Sequence, residues 1–156
     1  MKKIASFTIN HDSLTRGMYV SRVDGDVVTY DIRMKTPNNP ENDYLEDNAL
    51  HTFEHLFATY VRNTPYSDEV VYVGPMGCRT GMYLIFKGDL SSKDVADVIT
   101  KSFEYVRDFE GIVPATTSKE CGNYLDHNLT IAKWESKKFL DEVLYNLKDE
   151  NLVYPQ

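Results

Sequence analysis

Hydrophobic and polar residues alternate along much of the first third of the chain, a pattern typical of β-strands. Residues 3–9, KIASFTI, predict a short strand, and residues 17–34 predict a β-hairpin whose turn is the DGD sequence at 24–26. The segment 35–43, KTPNNPEND, is rich in turn-forming residues and predicts a loop. This part of the chain is therefore expected to supply strands to a sheet.

Apolar residues recur every three or four positions in three later segments, as in helices that bury one face. The predicted helices lie within 48–62, 91–111 and 129–148. Two further strands are predicted within 69–78 and 81–90, separated by a turn rich in Gly and Pro. Strands joined by short turns, with helices inserted between groups, predict a single α+β domain over residues 1–156, with a largely antiparallel β-sheet packed against helices.

The predicted helix ends carry local signals. Asp47 or Asn48 is placed to cap the first helix and Ser91 or Ser92 the second, because a short polar side chain can accept a hydrogen bond from the free N–H groups of the first turn. Gly111 is expected to end the second helix. The apolar stripes expected to face the core are Val95, Val98, Ile99, Phe103 and Val106 in the second helix and Phe139, Leu140, Val143, Leu144 and Leu147 in the third.

Composition narrows the range of functions. The chain has 156 residues, with 17 Lys and Arg against 24 Asp and Glu, and hence a net charge of −7. An acidic chain without a long basic cluster is not expected to bind nucleic acid. No apolar run is long enough to span a bilayer and the start has no signal-peptide pattern, so we expect a cytoplasmic protein that does not enter a membrane. In a reducing cytoplasm Cys78 and Cys121 are expected to be free thiols.

The segment HTFEHLFATYVRN, residues 51–63, is a candidate metal-binding helix. His51 and His55 are four residues apart and therefore lie on one helix face, and Glu54 points toward the same side. This is the H-x-x-E-H order, inverted from the commoner metalloprotease motif. Two histidines on a partly exposed face, with no metal, are an equally good interpretation of these five residues alone.

Cys121, in the loop sequence SKECGN, is the best candidate for a third ligand. A His/His/Cys set with an open fourth position is a catalytic arrangement, since a structural site normally has four protein ligands. The alternative is a loop thiol without a role. Cys78, in GPMGCRTG, occupies a tight loop at a strand end, where Arg79 would favour its thiolate; it could equally be a small residue buried at a turn.

Five motifs in order give the sequence a specific resemblance that covers almost the whole chain. They are SFTINH, YDIRMKTPN, HTFEHLFATYVRN, GPMGCRTGMYL and ECGNYLDHNL. Together they resemble the S-ribosylhomocysteine lyase (LuxS) family. One departure is Tyr72, which stands where the family usually has an acidic residue before PMGC. Taken singly, His11, Arg33 and His127 are more typical of surface or satisfied polar residues than of a site.

The resemblance implies a homodimer with active sites at the subunit interface and one divalent metal per subunit, Fe(II) or alternatively zinc or cobalt. It assigns three kinds of site residue: metal ligands His51, His55 and Cys121, proton-transfer groups Cys78 and Glu54, and substrate contacts Ser6, His11 and Arg33.

The implied reaction cleaves S-ribosylhomocysteine to homocysteine and 4,5-dihydroxy-2,3-pentanedione, the precursor of the autoinducer-2 signal of quorum sensing. Homocysteine formation would also serve the activated methyl cycle. The substrate carbonyl migrates along the ribose chain and homocysteine then leaves by β-elimination, with the metal as Lewis acid. Cys78 is expected to serve the isomerisation and Glu54 the elimination, and no nicotinamide or flavin is needed. Two alternatives stay open, an H-x-x-E-H metallopeptidase and a non-enzymatic, metal-stabilised binding module with a closed coordination sphere.

Overall fold

A computed structural model describes residues 1–155 of the chain and has the predicted α+β architecture. Four strands form one antiparallel sheet in the order β1-β2-β4-β3. The strands are β1 (Gly17–Asp24), β2 (Val27–Arg33), β3 (Val70–Pro75) and β4 (Gly81–Lys87). The helices are α1 (Asp47–Val61), α2 (Ser92–Asp108) and α3 (Leu129–Glu142), with short 3-10 helices at Ala5–Phe7, Leu144–Asn146 and Asp149–Asn151. Within residues 1–155, no helix combines the length and apolar character needed to cross a bilayer.

The predicted hairpin is confirmed as β1 and β2. Gly25 occupies its turn with φ +64°, a left-handed conformation that glycine adopts without steric cost. The loop predicted at 35–43 is also confirmed, and it is fixed by Lys35, which is buried and paired with Asp43 at 2.7 Å and Glu135 at 2.9 Å. These ion pairs attach the loop to α3.

The sheet has two different faces. Met18, Ile32 and Met82 are paired across β1, β2 and β4 and lie in the core against the helices. Side chains alternate along a strand, so the neighbouring row, Tyr19, Asp31 and Tyr83, points to the opposite face. Aromatic rings from all three helices pack in the core between the sheet and the helices: Phe53 and Phe57 of α1, Phe103 of α2 and Phe139 of α3.

The second helix follows its sequence signals closely. Ser91 caps α2 by accepting a hydrogen bond from the Asp94 N–H at 3.1 Å, and Asp94 completes the capping box. Gly111 has φ +109°, but α2 already ends at Asp108, three residues earlier. The predicted apolar stripe is confirmed, because Val95, Val98, Ile99, Phe103 and Val106 are all buried.

Besides the end of α2, which was predicted at Gly111, three local predictions are wrong. Residues 3–9 form no strand, because the 3-10 helix Ala5–Phe7 satisfies its backbone locally and its apolar side chains Ile4 and Phe7 are exposed. The N-cap residue of α1 is Glu46, without a side-chain cap, rather than Asp47 or Asn48.

The third helix is shorter than predicted. It ends at Glu142 rather than near 148, because Val143 leaves helical geometry with φ −131° and the chain continues as a 3-10 helix. Val143 and Leu144 are nevertheless buried in the core. Their apolar spacing therefore reflected burial and not a continuous α-helix.

Candidate metal centre

Helix α1 brings His51 and His55 to one face, as the four-residue spacing predicted. Their ring centroids are 4.6 Å apart and the rings are almost perpendicular, at 88°. Both side chains are half-buried because the loop between α2 and α3, residues 109–128, lies across this face of the helix. The site is thus built from one helix and one loop.

The same loop supplies Cys121. The Glu120 and Cys121 N–H groups both donate hydrogen bonds to the Thr117 carbonyl, each at 3.0 Å, and these bonds form a turn. It places the Cys121 Sγ 3.3 Å from the Nε2 atom of His51. The structure therefore brings together the three side chains predicted as metal ligands. Both Cys121 and Cys78 are free thiols.

A fourth side chain, His127, joins this group although sequence reasoning did not select it. Its ring stacks on His51 with centroids 4.1 Å apart and planes 24° apart, and lies 4.8 Å from the His55 ring. One ligand atom from each of His51, His55, Cys121 and His127 lies within 4.8 Å of the others. The sequence feature that could have identified His127 is its position: it is six residues after Cys121 and directly precedes Asn128, which caps α3.

Backbone carbonyls fix the tautomers of the α1 histidines. The His51 Nδ1 lies 2.9 Å from the Asp126 carbonyl oxygen, and the His55 Nδ1 lies 2.8 Å from that of Pro114. A carbonyl can only accept, so each Nδ1 carries the hydrogen and each Nε2 keeps its lone pair. The loop conformation that presents Pro114 includes Ala115 in the left-handed region, at φ +57°.

His127 has the same tautomer for a different reason. Its Nδ1 lies 3.0 Å from the Thr52 hydroxyl oxygen, and that hydroxyl donates its only hydrogen to the Asn48 carbonyl at 3.0 Å. The His127 Nδ1 is then the donor, which leaves a lone pair on Nε2. That Nε2 atom is buried and has no hydrogen-bond partner among the described residues. Burial, followed by the neighbouring His51 and His55, lowers the pKa of His127, so its ring stays neutral.

This donor set fits a divalent transition metal. Neutral imidazole Nε2 atoms and a cysteine sulfur are the ligands that zinc and iron accept, and each α1 histidine is oriented by a second contact as metal-binding histidines usually are. The buried His127 Nε2 has no hydrogen-bond partner among the described residues, so its lone pair is available to a bound group.

Cys78 occupies a separate site at the end of the sheet, in the loop between β3 and β4. Its thiol is exposed, and Sγ lies 3.0 Å from the Thr80 hydroxyl and 3.9 Å from Nη1 of Arg33. Arg79, the expected neighbour, turns instead to the Asp47 carboxylate at 3.9 Å, with its own backbone at φ +60°. The cation beside the thiol is therefore Arg33, which sequence reasoning took from the resemblance alone.

The remaining predicted site residues lie outside the four-residue cluster. Glu54 is half-buried on α1, next to His55. Ser6 lines a cavity of about 410 Å³ with Tyr72 and Tyr83, on the sheet face away from the helices. His11 is half-buried, and its Nδ1 lies 3.0 Å from the Ile9 carbonyl oxygen.

The fold and site define a small α+β protein with a His/Cys cluster that fits a metal ion and a separate exposed thiol. The model of the S-ribosylhomocysteinase (LuxS) family matches residues 4–150. Proteins named S-ribosylhomocysteine lyase are similar over nearly their whole length: that of Phocaeicola vulgatus is 56% identical over 160 residues, covering 99% of this chain and 98% of its own. The Clostridium beijerinckii protein of the same name is 52% identical, with 99% of each chain covered. This chain belongs to the S-ribosylhomocysteinase (LuxS) family.

Proposed function

We propose that this protein is an S-ribosylhomocysteine lyase that releases homocysteine and 4,5-dihydroxy-2,3-pentanedione. The observation that carries the proposal is the convergence of three imidazoles and a thiol in a chain that belongs to this family. The chemistry is carbonyl migration along the ribose followed by β-elimination of the thiolate.

His51, His55 and Cys121 are the proposed ligands of one divalent metal, and ring geometry supports this choice. The perpendicular rings of His51 and His55 allow their in-plane lone pairs to meet at one point. His51 and His127 are stacked instead, an arrangement in which the two rings would not both direct their in-plane lone pairs at one ion. His127 then remains beside the fourth position rather than filling it.

The bound metal supplies a Lewis acid that polarises a sugar oxygen and acidifies the neighbouring C–H. We propose Fe(II) as the working metal, with zinc or cobalt as substitutes, since all three accept imidazole and thiolate ligands. The buried, neutral His127 Nε2 faces the same volume and is the proposed hydrogen-bond acceptor for a substrate hydroxyl there.

Cys78 and Glu54 are the proposed proton-transfer groups. The Arg33 guanidinium nitrogen Nη1 and the Thr80 hydroxyl both contact the Cys78 sulfur, where they are placed to donate hydrogen bonds to it when it acts as a base. Glu54 follows the same helix face as the metal ligands. We assign Cys78 to the carbonyl-migration steps and Glu54 to the elimination, where each removes or returns a proton on carbon.

Ser6, His11 and Arg33 are the proposed substrate contacts, and Tyr72 changes this region. A Cβ atom built on Gly74 would lie 1.9 Å from the Tyr72 hydroxyl, so the Tyr72 ring lies over the glycine. Tyr72 and Gly74 therefore act as a pair: the aromatic ring fits only because position 74 has no side chain. We propose that this ring forms one wall of the pocket for the homocysteine end of the substrate.

A second copy of the chain is the proposed partner, with active sites at the interface. The sheet face away from the helices is only partly covered, and Tyr72 remains 50% exposed there. The apolar side chains Ile4 and Phe7 of the N-terminal segment add to the exposed surface. Such a surface is typical of an interface between subunits. A reducing cytoplasm, in which both cysteines stay thiols, is the proposed compartment.

The test is release of free thiol from S-ribosylhomocysteine by reduced protein loaded in turn with Fe(II), Zn(II) or Co(II). We expect turnover in the wild type and none in Cys78→Ala with the same metal content. A metal-replete wild type that releases no thiol refutes the proposal. Unchanged peptidase activity in Cys78→Ala would instead favour the metallopeptidase, for which no distal glutamate joins the cluster among the described residues.

The non-enzymatic alternative is a binding module with four protein ligands, and the proximity of His127 is the observation that favours it. It predicts four protein donors around the metal in an X-ray absorption spectrum and no exchangeable water. The proposed lyase predicts three protein donors and one light-atom ligand that substrate displaces.

A further inference from the structure

The C-terminal segment is seated against β1 by specific contacts. The side-chain amide of Asn151 donates to the Arg16 carbonyl at 3.1 Å. A Cβ atom on Gly17 would lie 2.4 Å from the Asn151 carbonyl oxygen, so the close approach requires glycine at this position. Further along, Tyr154 stacks on the buried Tyr19 ring with centroids 4.8 Å apart and planes 19° apart. The tail is thus an ordered part of the sheet face away from the helices.

Tyr154 also reaches a buried ion pair. Its hydroxyl donates to Oδ2 of Asp31 at 2.7 Å. Asp31 is completely buried, and Arg33 is 2% exposed. The carboxylate accepts from Arg33 Nε at 3.1 Å and from Nη2 at 2.6 Å. Oδ2 is therefore shared by the guanidinium and the tyrosine.

The ion pair continues to the exposed thiol. The remaining guanidinium nitrogen, Nη1, donates to the Thr80 hydroxyl at 2.6 Å and lies 3.9 Å from the Cys78 Sγ. A guanidinium is planar, so fixing Nε and Nη2 on Asp31 also fixes the direction of Nη1. A continuous series of contacts thus runs from the tail through Asp31 and Arg33 to Cys78.

We propose that Tyr154 is a positioning residue: its hydroxyl holds the Asp31 carboxylate in the orientation that directs Arg33 at the Cys78 thiol. The role rests on the proposed function, in which this thiol transfers protons. Without the hydroxyl, the buried carboxylate loses one of its three donors, so the orientation that it gives the guanidinium is less firmly fixed. The thiolate is then less well stabilised.

Two charged or titratable groups interact with Cys78 directly, Arg33 of β2 and Tyr83 of β4. Asp31 and Tyr154 act through Arg33, since the Tyr154 hydroxyl donates to the Asp31 carboxylate, which in turn accepts from Arg33. Burial raises the pKa of Tyr83, and burial followed by Asp31 raises the pKa of Tyr154, so both remain neutral phenols over the range in which a thiol titrates. Arg33 is accordingly the cation that responds to loss of the Tyr154 hydroxyl.

The test is the pH dependence of Cys78 alkylation by iodoacetamide in Tyr154→Phe, on the protein as purified. Phenylalanine keeps the ring on Tyr19 and removes only the hydroxyl. Mass spectrometry of the Cys78 peptide separates its reaction from that of Cys121. We expect the inflection to rise by about half a pH unit, which lowers the rate near neutral pH about threefold. The matched control is Tyr145→Phe, which loses a hydroxyl bonded to Glu104 and Arg107 elsewhere on the surface and should leave the profile unchanged.

A Tyr154→Phe profile that coincides with the wild type overturns the proposal, whatever happens to thermal stability, because a purely structural tail would change only the melting temperature. Alkylation needs no substrate, which separates the two proposals. A shifted profile in a protein that releases no thiol from S-ribosylhomocysteine leaves this role standing and refutes the lyase. A wild type that cleaves the substrate, with an unshifted variant profile, refutes the role of Tyr154 alone.

Discussion

The metal cluster and the Cys78 site are prepared for chemistry in opposite ways. In the cluster, three imidazoles and a thiol converge, and each α1 histidine is oriented by a backbone carbonyl of one loop. At Cys78 the sulfur is exposed, and a buried ion pair, Asp31 with Arg33, places a guanidinium nitrogen 3.9 Å from it. A backbone carbonyl can thus fix the direction of a ligand atom, whereas a charged side chain held near an exposed thiol can act on its proton equilibrium.

The largest effect is expected from a matched pair of cysteine variants. Cys121→Ser should lose most of its metal, with affinity reduced more than about 100-fold, because a thiolate ligand is removed from the shell. Cys78→Ser carries the same chemical change and should keep full metal content. Metal analysis after dialysis measures both, with His55→Ala as a second ligand variant. Full occupancy in Cys121→Ser and His55→Ala would contradict the proposed ligand set.

The next effect concerns turnover with metal retained. Glu54→Gln and Cys78→Ala should each lower kcat by about 10²–10⁴-fold, the usual contribution of a positioned acid or base. Metal content should match the wild type in both, since neither side chain belongs to the cluster. Steady-state thiol release on metal-quantified samples measures this. Activity within a few-fold of wild type would remove that residue from proton transfer.

A smaller effect is expected at His127. His127→Gln should keep the metal, because its ring lies parallel to His51 and does not direct its lone pair to the same point. We expect kcat/KM to fall about 10- to 100-fold through loss of the substrate contact. Metal analysis and kinetics on one preparation distinguish the outcomes. Metal loss comparable to that of Cys121→Ser would make His127 a ligand and the site structural.

The smallest of these effects is expected from a substitution in the ion pair between Asp31 and Arg33. Arg33→Lys keeps a positive charge but cannot bond Asp31 and Thr80 in one plane, so the cation is no longer directed at the thiol. The rate of Cys78 alkylation at pH 7 should fall about tenfold. The control is Arg62→Lys, whose guanidinium bonds the Val70 carbonyl instead. Equal rates in both variants would mean that Arg33 does not adjust the thiol.

Local sequence signals predicted the structure correctly where contacts within one segment determine it. The hairpin followed from the DGD turn, and the α2 start followed from Ser91 with Asp94. Local signals failed where contacts with other segments determine the structure. Residues 3–9 pair with no strand, and Val143 is buried without being helical. His127 could not be selected alone, because its proximity to His51 depends on how the 109–128 loop crosses α1.

The sequence by itself determined the element types, the α+β class, the pairing of His51 with His55 on one helix face and, through its motifs, the family. These follow from periodicity and residue chemistry, which act over a few neighbouring positions. Only the tertiary structure decided that Cys121 and His127 meet those rings, that Arg33 rather than Arg79 faces Cys78, and that the tail reaches Asp31 through Tyr154. The physical reason is that these contacts join residues far apart in the chain, and burial selects them only when the whole core closes.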